Sequence, residues 1–162
     1  MAVRRYGEWE GARRRLTHSL GSRLATALQK ATIKNAMLLV REIKLGIRAQ
    51  APGDKPFESL AESTIEAKGS SKALIDTGFL INSITQRIMA DKAFVGILRS
   101  ASNKEGASLA NIGAIMEFGA TIRQPNGAVV VIPARPFLQP TIEKYRDEIV
   151  ENYRRATLNS LS

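Results

Sequence analysis

The sequence predicts an α+β fold: a long N-terminal helix, short middle helices, a C-terminal helix, and a small antiparallel sheet of about four strands. Three observations predict it. Apolar residues recur at helical spacing near both ends, at Ile33, Ala36, Met37, Val40, Ile43 and Ile47, and again at Ile142, Tyr145, Ile149, Tyr153 and Ala156. Residues 84–89 and 93–98 read as two short strands joined through Ala90-Asp91-Lys92. Residues 120–132 read as a hairpin with Pro125-Asn126-Gly127 at its tip, where Asn-Gly favours a type I′ turn.

Taken in order, residues 1–21 form a basic arm. Arg4, Arg5, Arg13, Arg14 and Arg15 surround Tyr6 and Trp9, and Gly7, Gly11 and Gly21 interrupt helical character. A single α+β domain over residues 22–162 follows. Ser22 is placed to cap a helix over 22–49, which at 1.5 Å per residue is about 42 Å long and projects at one end. Pro52-Gly53 stops it. Ser59-Leu60-Ala61-Glu62 has capping-box spacing for a second helix, closed by Gly69. Asp76 is placed to cap a third, carrying Phe79, Leu80, Ser83 and Ile84. Residues 107–117 read as a short helix closed by Phe118-Gly119, and Pro140 starts the last one. The expected core is Ile84, Ile88, Val95, Ile97, Ile115, Val130 and Ile132.

Composition narrows function. Absence of Cys removes disulfides and thiol chemistry and is compatible with a cytosolic origin. One histidine, His18, excludes His-rich metal sites and most catalytic triads, and no glycine-rich phosphate loop occurs. No catalytic residue, cofactor or metal is expected. No apolar run reaches the length of a membrane span, and the first residues lack a signal-peptide core. The net charge of +9 is lopsided. Residues 1–50 hold 11 Lys and Arg against 3 Asp and Glu, and residues 51–162 hold 13 against 12. Such an end suits DNA or an acidic partner, through Arg4, Arg5, Arg13, Arg14, Arg15 and Arg23. The arm is expected to order only on assembly, with Tyr6 and Trp9 seated in a protein pocket.

The segment 111–138 organises the chain. In Ile132-Pro133-Ala134-Arg135-Pro136-Phe137-Leu138 two prolines flank one arginine, so the chain is stiff there and cannot be a central strand. This run, with Glu117-Phe118-Gly119 before it, resembles the tail-completion or virion-morphogenesis (head–tail joining, neck) proteins of tailed phages. Leu74-Ile75-Asp76-Thr77-Gly78-Phe79-Leu80 with Ser83-Ile84 matches upstream, and the resemblance covers roughly residues 57–140.

The resemblance implies a structural virion protein that completes the tail and joins it to the head connector. It implies a homo-oligomeric ring around the DNA channel, six-fold by analogy with tails, that meets a head-completion ring and a tail-terminator or tail-tube ring. DNA contact would be non-specific, and no membrane is involved. The protein would reside in the neck of the virion, and in host cytoplasm during assembly. Glu117, Phe118, Arg135, Phe137, Tyr6 and Trp9 are the expected interface residues, with Arg135 facing Glu117 in its own or a neighbouring subunit and Phe137 anchoring the last helix.

Two other readings compete. One is a cellular nucleic-acid-binding protein that uses its basic end. The other starts from Asp76-Thr77-Gly78, which resembles the aspartic-protease turn. That chemistry needs two carboxylates sharing a proton. Phe79 stands where interlocking turns need a small residue, so Asp76 is expected to be a helix cap instead.

Overall fold

The computed structural model describes residues 9–90 and 92–161, with side chains described from Thr17 onward. The expected α+β class holds. Helix α1 runs from Trp9 to Ala49 and α5 from Gln139 to Leu161, with three short helices between them: α2 (Glu62–Lys68), α3 (Phe79–Ser83) and α4 (Leu109–Phe118). The strands are β1 (Ile84–Ile88), β2 (Ala93–Ile97), β3 (Ala120–Arg123) and β4 (Val129–Ile132). They form two separate antiparallel ribbons, β1–β2 and β3–β4, instead of one four-stranded sheet.

Helix α1 begins 13 residues before the expected Ser22. Ser22 lies inside it and its hydroxyl donates to the Ser19 carbonyl at 3.0 Å. Gly11 and Gly21 each cost a helix only about 1 kcal/mol, and Ala, Leu and Arg around them favour it. At 41 residues the helix is about 62 Å long. Helix α5, at 23 residues, is about 35 Å long and packs against the C-terminal part of α1. The N-terminal turns of α1 therefore overhang the body.

The buried stripe of α1 is rotated from the expected one. Ala36, Ile43 and Ile47 are inside, but Ile33 and Met37 face outward, and Thr32 and Asn35 are buried in their place. These two polar residues are satisfied from α5. Thr32 Oγ1 and Tyr153 Oη share a hydrogen bond of 2.9 Å, and Asn152 Nδ2 donates to Asn35 Oδ1 at 2.8 Å. Further along, the Tyr145 hydroxyl donates to Glu42 Oε2 at 2.6 Å.

This last bond links helix docking to pH. The Tyr145 hydroxyl, helped by Arg41 and Lys144, holds the Glu42 carboxyl below its ordinary 4.5 against the opposing effect of burial. Glu42 beside it raises Tyr145 above its ordinary 10.0. A lowered acid stabilises the fold above its unfolded value and loses that contribution as pH falls through its folded value. A raised tyrosine contributes below 10.0 and loses it as pH rises through its folded value. Tyr145→Phe is expected to cost about 1 kcal/mol at pH 7 and less at an acid pH where Glu42 is protonated in the folded state. Urea unfolding at both pH values measures this; an equal loss at both would show that the bond is not the cause.

The core gathers where α1, α3, β1 and the segment before α5 meet. Ile43, Ile47, Ile81, Ile84 and Phe137 are buried, with Val95, Ile97, Met116 and Leu138 packed against them. Ile84 fulfils its expected role, but Val130 is exposed, because its ribbon stands away from the body.

Tertiary contacts, more than local caps, set the starts of the short helices. Helix α2 starts at Glu62 after Ala61, so Ser59 is no cap. Its carbonyl is occupied by the Arg135 side chain instead. Helix α3 starts at Phe79 after Gly78, whose φ is 80°, and no side chain caps it, so Asp76 is no cap either. Gly69 does close α2, in the left-handed conformation. At the end of α1, Gln50 is left-handed (φ 60°), and its amide donates to Ile47 O and Ala73 O at 2.6 and 3.0 Å. That amide fastens the linker before α3 to the helix end.

Candidate functional site

The joint between α4 and α5 is built from backbone groups that the sequence leaves without partners. The first amides of a helix have no intrahelical acceptor. Helix α5 has no Ser, Thr, Asp or Asn immediately before it to supply one. Its acceptor comes from α4. Glu117 Oε2 accepts from the amides of Phe137 and Leu138 at 2.8 and 3.0 Å, and Oε1 from Gln139 at 2.9 Å. The carboxylate is 7% exposed and sits at the positive end of the α5 dipole. Thr141 Oγ1 donates to Phe137 O at 2.9 Å and tightens the same turn.

Arg135 points the other way. Its Nε donates to Glu58 O at 3.3 Å and its Nη2 to Ser59 O at 3.2 Å, while its amide donates to Met116 O at 2.6 Å. It is 7% exposed and forms no ion pair among the described residues. The expected pairing of Glu117 with Arg135 is thus absent within the chain. Each is used up on backbone and is nearly buried within the subunit. Phe137 is fully buried in the core, where it anchors α5 as expected. Of these four positions only Phe118, 76% exposed, faces outward.

From this joint the β3–β4 ribbon projects. Pairing sets Ala120 opposite Ile132, Thr121 opposite Val131, Ile122 opposite Val130 and Arg123 opposite Val129. Side chains of paired residues share a face. One face is therefore Ala120, Ile122, Val130 and Ile132, and the other Thr121, Arg123, Val129 and Val131. Ile122, Val129, Val130 and Val131 are all exposed. The tip is not the expected type I′ turn. Gly127 N donates to Gln124 O at 2.9 Å, and Gln124 N to Ala128 O at 2.8 Å. Only Gly127 has positive φ, 83°, as in a three-residue loop where a type I turn led by Pro125 precedes a left-handed glycine. Asn126 turns its side chain to accept from Ala128 N.

Beside the ribbon a groove of about 430 Å³ opens between β2, α4 and the start of α5. Phe94, Ala114, Phe118 and Ile142 line it, and its only charged lining residues are Glu117 and Glu143.

A second surface is basic. Arg23, Lys30 and Lys34 of α1 and Arg155 of α5 line a cleft of about 670 Å³ that holds no acidic lining residue. Lys34 Nζ donates to Asn152 Oδ1 at 2.9 Å, and Arg155 pairs with Glu151 at 2.9 Å on the cleft's flank. Of the six expected cationic contacts, Arg23 is here. Arg4, Arg5 and Tyr6, and the side chains of Trp9, Arg13, Arg14 and Arg15, lie outside the described part of the structure. The expected ordering of this arm on assembly therefore lies outside it too, although the backbone is helical from Trp9. Lys30 and Lys34 were missed from sequence, although their spacing from Arg23 puts all three on one face of α1.

Asp76 is exposed in the bend before α3. No described helix is long and apolar enough to cross a membrane. Set against known proteins, the chain matches no family model, no curated protein and no solved structure.

Proposed function

We propose that this chain is a structural, non-enzymatic virion protein of a tailed phage or tail-like particle. In this reading it completes the tail and joins it to the head connector as one subunit of a ring, six-fold by preference, around the DNA channel. One observation carries the reading. The residues that bear the family resemblance, 117–119 and 132–138, form the joint that fixes α5 and holds the base of an uncovered apolar hairpin. A two-stranded ribbon is marginally stable in water on its own, so a rigid base under an exposed one suits a subunit that is completed by a neighbour. The overhanging basic α1 suits a part that meets channel DNA without sequence preference or, as we favour, an acidic partner ring. The test is genetic. Disrupting the gene in the phage or prophage that carries it should leave separate heads and tails, and a plasmid copy should restore joining. Infectious particles formed without the protein would overturn the reading.

A second reading, a cellular nucleic-acid-binding protein, is favoured by the basic cleft. Engagement of its cations by phosphates would make binding fall with salt at a slope of about −0.9 per contact.

A further inference from the structure

We infer that the basic cleft between α1 and α5 seats the phosphate backbone of a duplex nucleic acid. The inference deepens the nucleic-acid reading of that cleft and rests on it. It stands or falls apart from ring assembly and from the residues of α1 before Thr17.

Helix α1 carries charge that the chain itself does not balance. Between Glu10 and Glu42 it holds seven Lys and Arg and no acidic residue. Lys30 and Lys34, one turn apart, repel each other where a solvated helix face ordinarily pairs opposite signs. Arg23, Lys30 and Lys34 share one face over about 16 Å of helix. Arg155 joins them from α5, and all four side chains are exposed. Among the described residues Arg23 and Lys30 form no ion pair. Lys34 gives one ammonium proton to Asn152, and Arg155 gives its Nε proton to Glu151. Each keeps further N–H donors for an incoming anion.

The rest of the lining selects among polyanions. It holds no aromatic ring and no apolar side chain larger than alanine. A protein interface centres on large apolar and aromatic residues. Single strands stack their bases on aromatic rings. A membrane surface takes up Trp, Phe or Leu from a helix. The cleft offers none of these. The Ser22, Thr26 and Ser160 hydroxyls donate to carbonyls of their own helices, so their protons are spent. What remains is a set of cations beside Ala27, Ala31 and Ala156. Such a set matches a ligand whose charges lie outermost, dense and fixed, about one every 1.7 Å along a duplex. Contact of this kind is blind to sequence.

Fluorescence anisotropy of the full chain with a short labelled duplex of arbitrary sequence, from about 50 to 200 mM salt, tests this. Arg23→Gln with Lys30→Gln is expected to weaken binding about tenfold at the lower salt and to make the slope of log K against log salt shallower by about two, one per cation. Lys44→Gln with Arg48→Gln removes the same charge from α1 outside the cleft and should change affinity by less than about twofold. Thermal melts confirm that both double variants fold. Equal losses in the two double variants overturn the cleft as the site and leave nucleic-acid binding standing, as does a weakened cleft variant whose salt slope is unchanged. A wild type that binds no duplex at about 50 mM salt overturns the cleft and the nucleic-acid reading together. Poly-glutamate, phosphatidylserine vesicles and inorganic phosphate, matched in charge, are expected to leave the duplex bound. Displacement by any of them as complete as by unlabelled duplex overturns the choice of ligand.

Discussion

Glu117→Ala is expected to lose about 4 kcal/mol of unfolding free energy. The carboxylate accepts three amides at 2.8–3.0 Å in a nearly water-free site. Hydrogen bonds to a charged group contribute about 1.5–3 kcal/mol each, and removing the acceptor leaves buried donors unsatisfied. The three are not additive, because one relaxed water could bridge two of them. A loss of this size approaches the whole stability of a small domain, about 5–15 kcal/mol. Glu117→Gln keeps one acceptor oxygen but turns an NH2 toward an amide donor, so about half the loss is expected. Urea midpoints give the magnitudes, and hydrogen exchange at residues 137–139 gives the place. If Glu117→Ala stayed within about 1 kcal/mol of wild type, the carboxylate would not be the cap.

Oligomerisation separates this role from an interface role. Because Glu117 acts by fixing α5, its loss should loosen the first turn of that helix. Assembly should then fail in proportion to unfolding. A variant that folded at wild-type stability yet failed to assemble would place Glu117 at the interface after all.

The sequence disclosed those parts of the fold whose causes are local. Ribbon β1–β2 follows from alternation with a short polar turn, and its ends match to within a residue. Helix α4 is capped by Ser108, whose hydroxyl accepts from Asn111 N at 3.3 Å. Pro140 sits at the second position of α5, where it has no donor to lose. What the sequence concealed depends on distant partners. Glu117 caps a helix that starts 22 residues later, and no spacing rule connects them. Arg135 holds carbonyls 76 and 77 residues away. Thr32 and Asn35 lie inside only because Tyr153 and Asn152 supply their partners, so apolar spacing alone turns the buried stripe of α1 too far round. The hairpin was legible as a hairpin. Its isolation was not, since Val129-Val130-Val131 looks like a buried strand and only its placement shows it uncovered.

Gly53→Ala is expected to be as damaging as loss of Glu117, for a steric reason. The 3-10 turn Pro52–Asp54 connects the end of α1 to the start of α5, with Lys144–Asp54 and Lys55–Glu143 pairs at 2.7 and 2.8 Å on its surface. Those pairs are exposed and contribute little. The close packing lies beneath them. Gly53 has φ of 58°, and a Cβ there would stand 2.2 Å from the carbonyl oxygen of Pro140 and 2.4 Å from its carbon. Both atoms are backbone in the first turn of α5, so no rotamer change relieves the clash. Gly69 provides the control. Its φ is 67°, nearly the same, but nothing lies within 4 Å of an added Cβ. Gly69→Ala should therefore cost only the left-handed backbone strain, about 1 kcal/mol. Gly53→Ala bears that strain and must also push α5 away from α1, which disturbs the Glu117 cap and the groove above it. An additional loss of about 2–3 kcal/mol is expected, the usual range for forcing atoms into a filled site. Thermal or urea unfolding of the two variants side by side isolates the steric part. Equal losses at Gly53 and Gly69 would mean that α5 yields freely at Pro140 and that the Glu117 joint does not hold it rigidly.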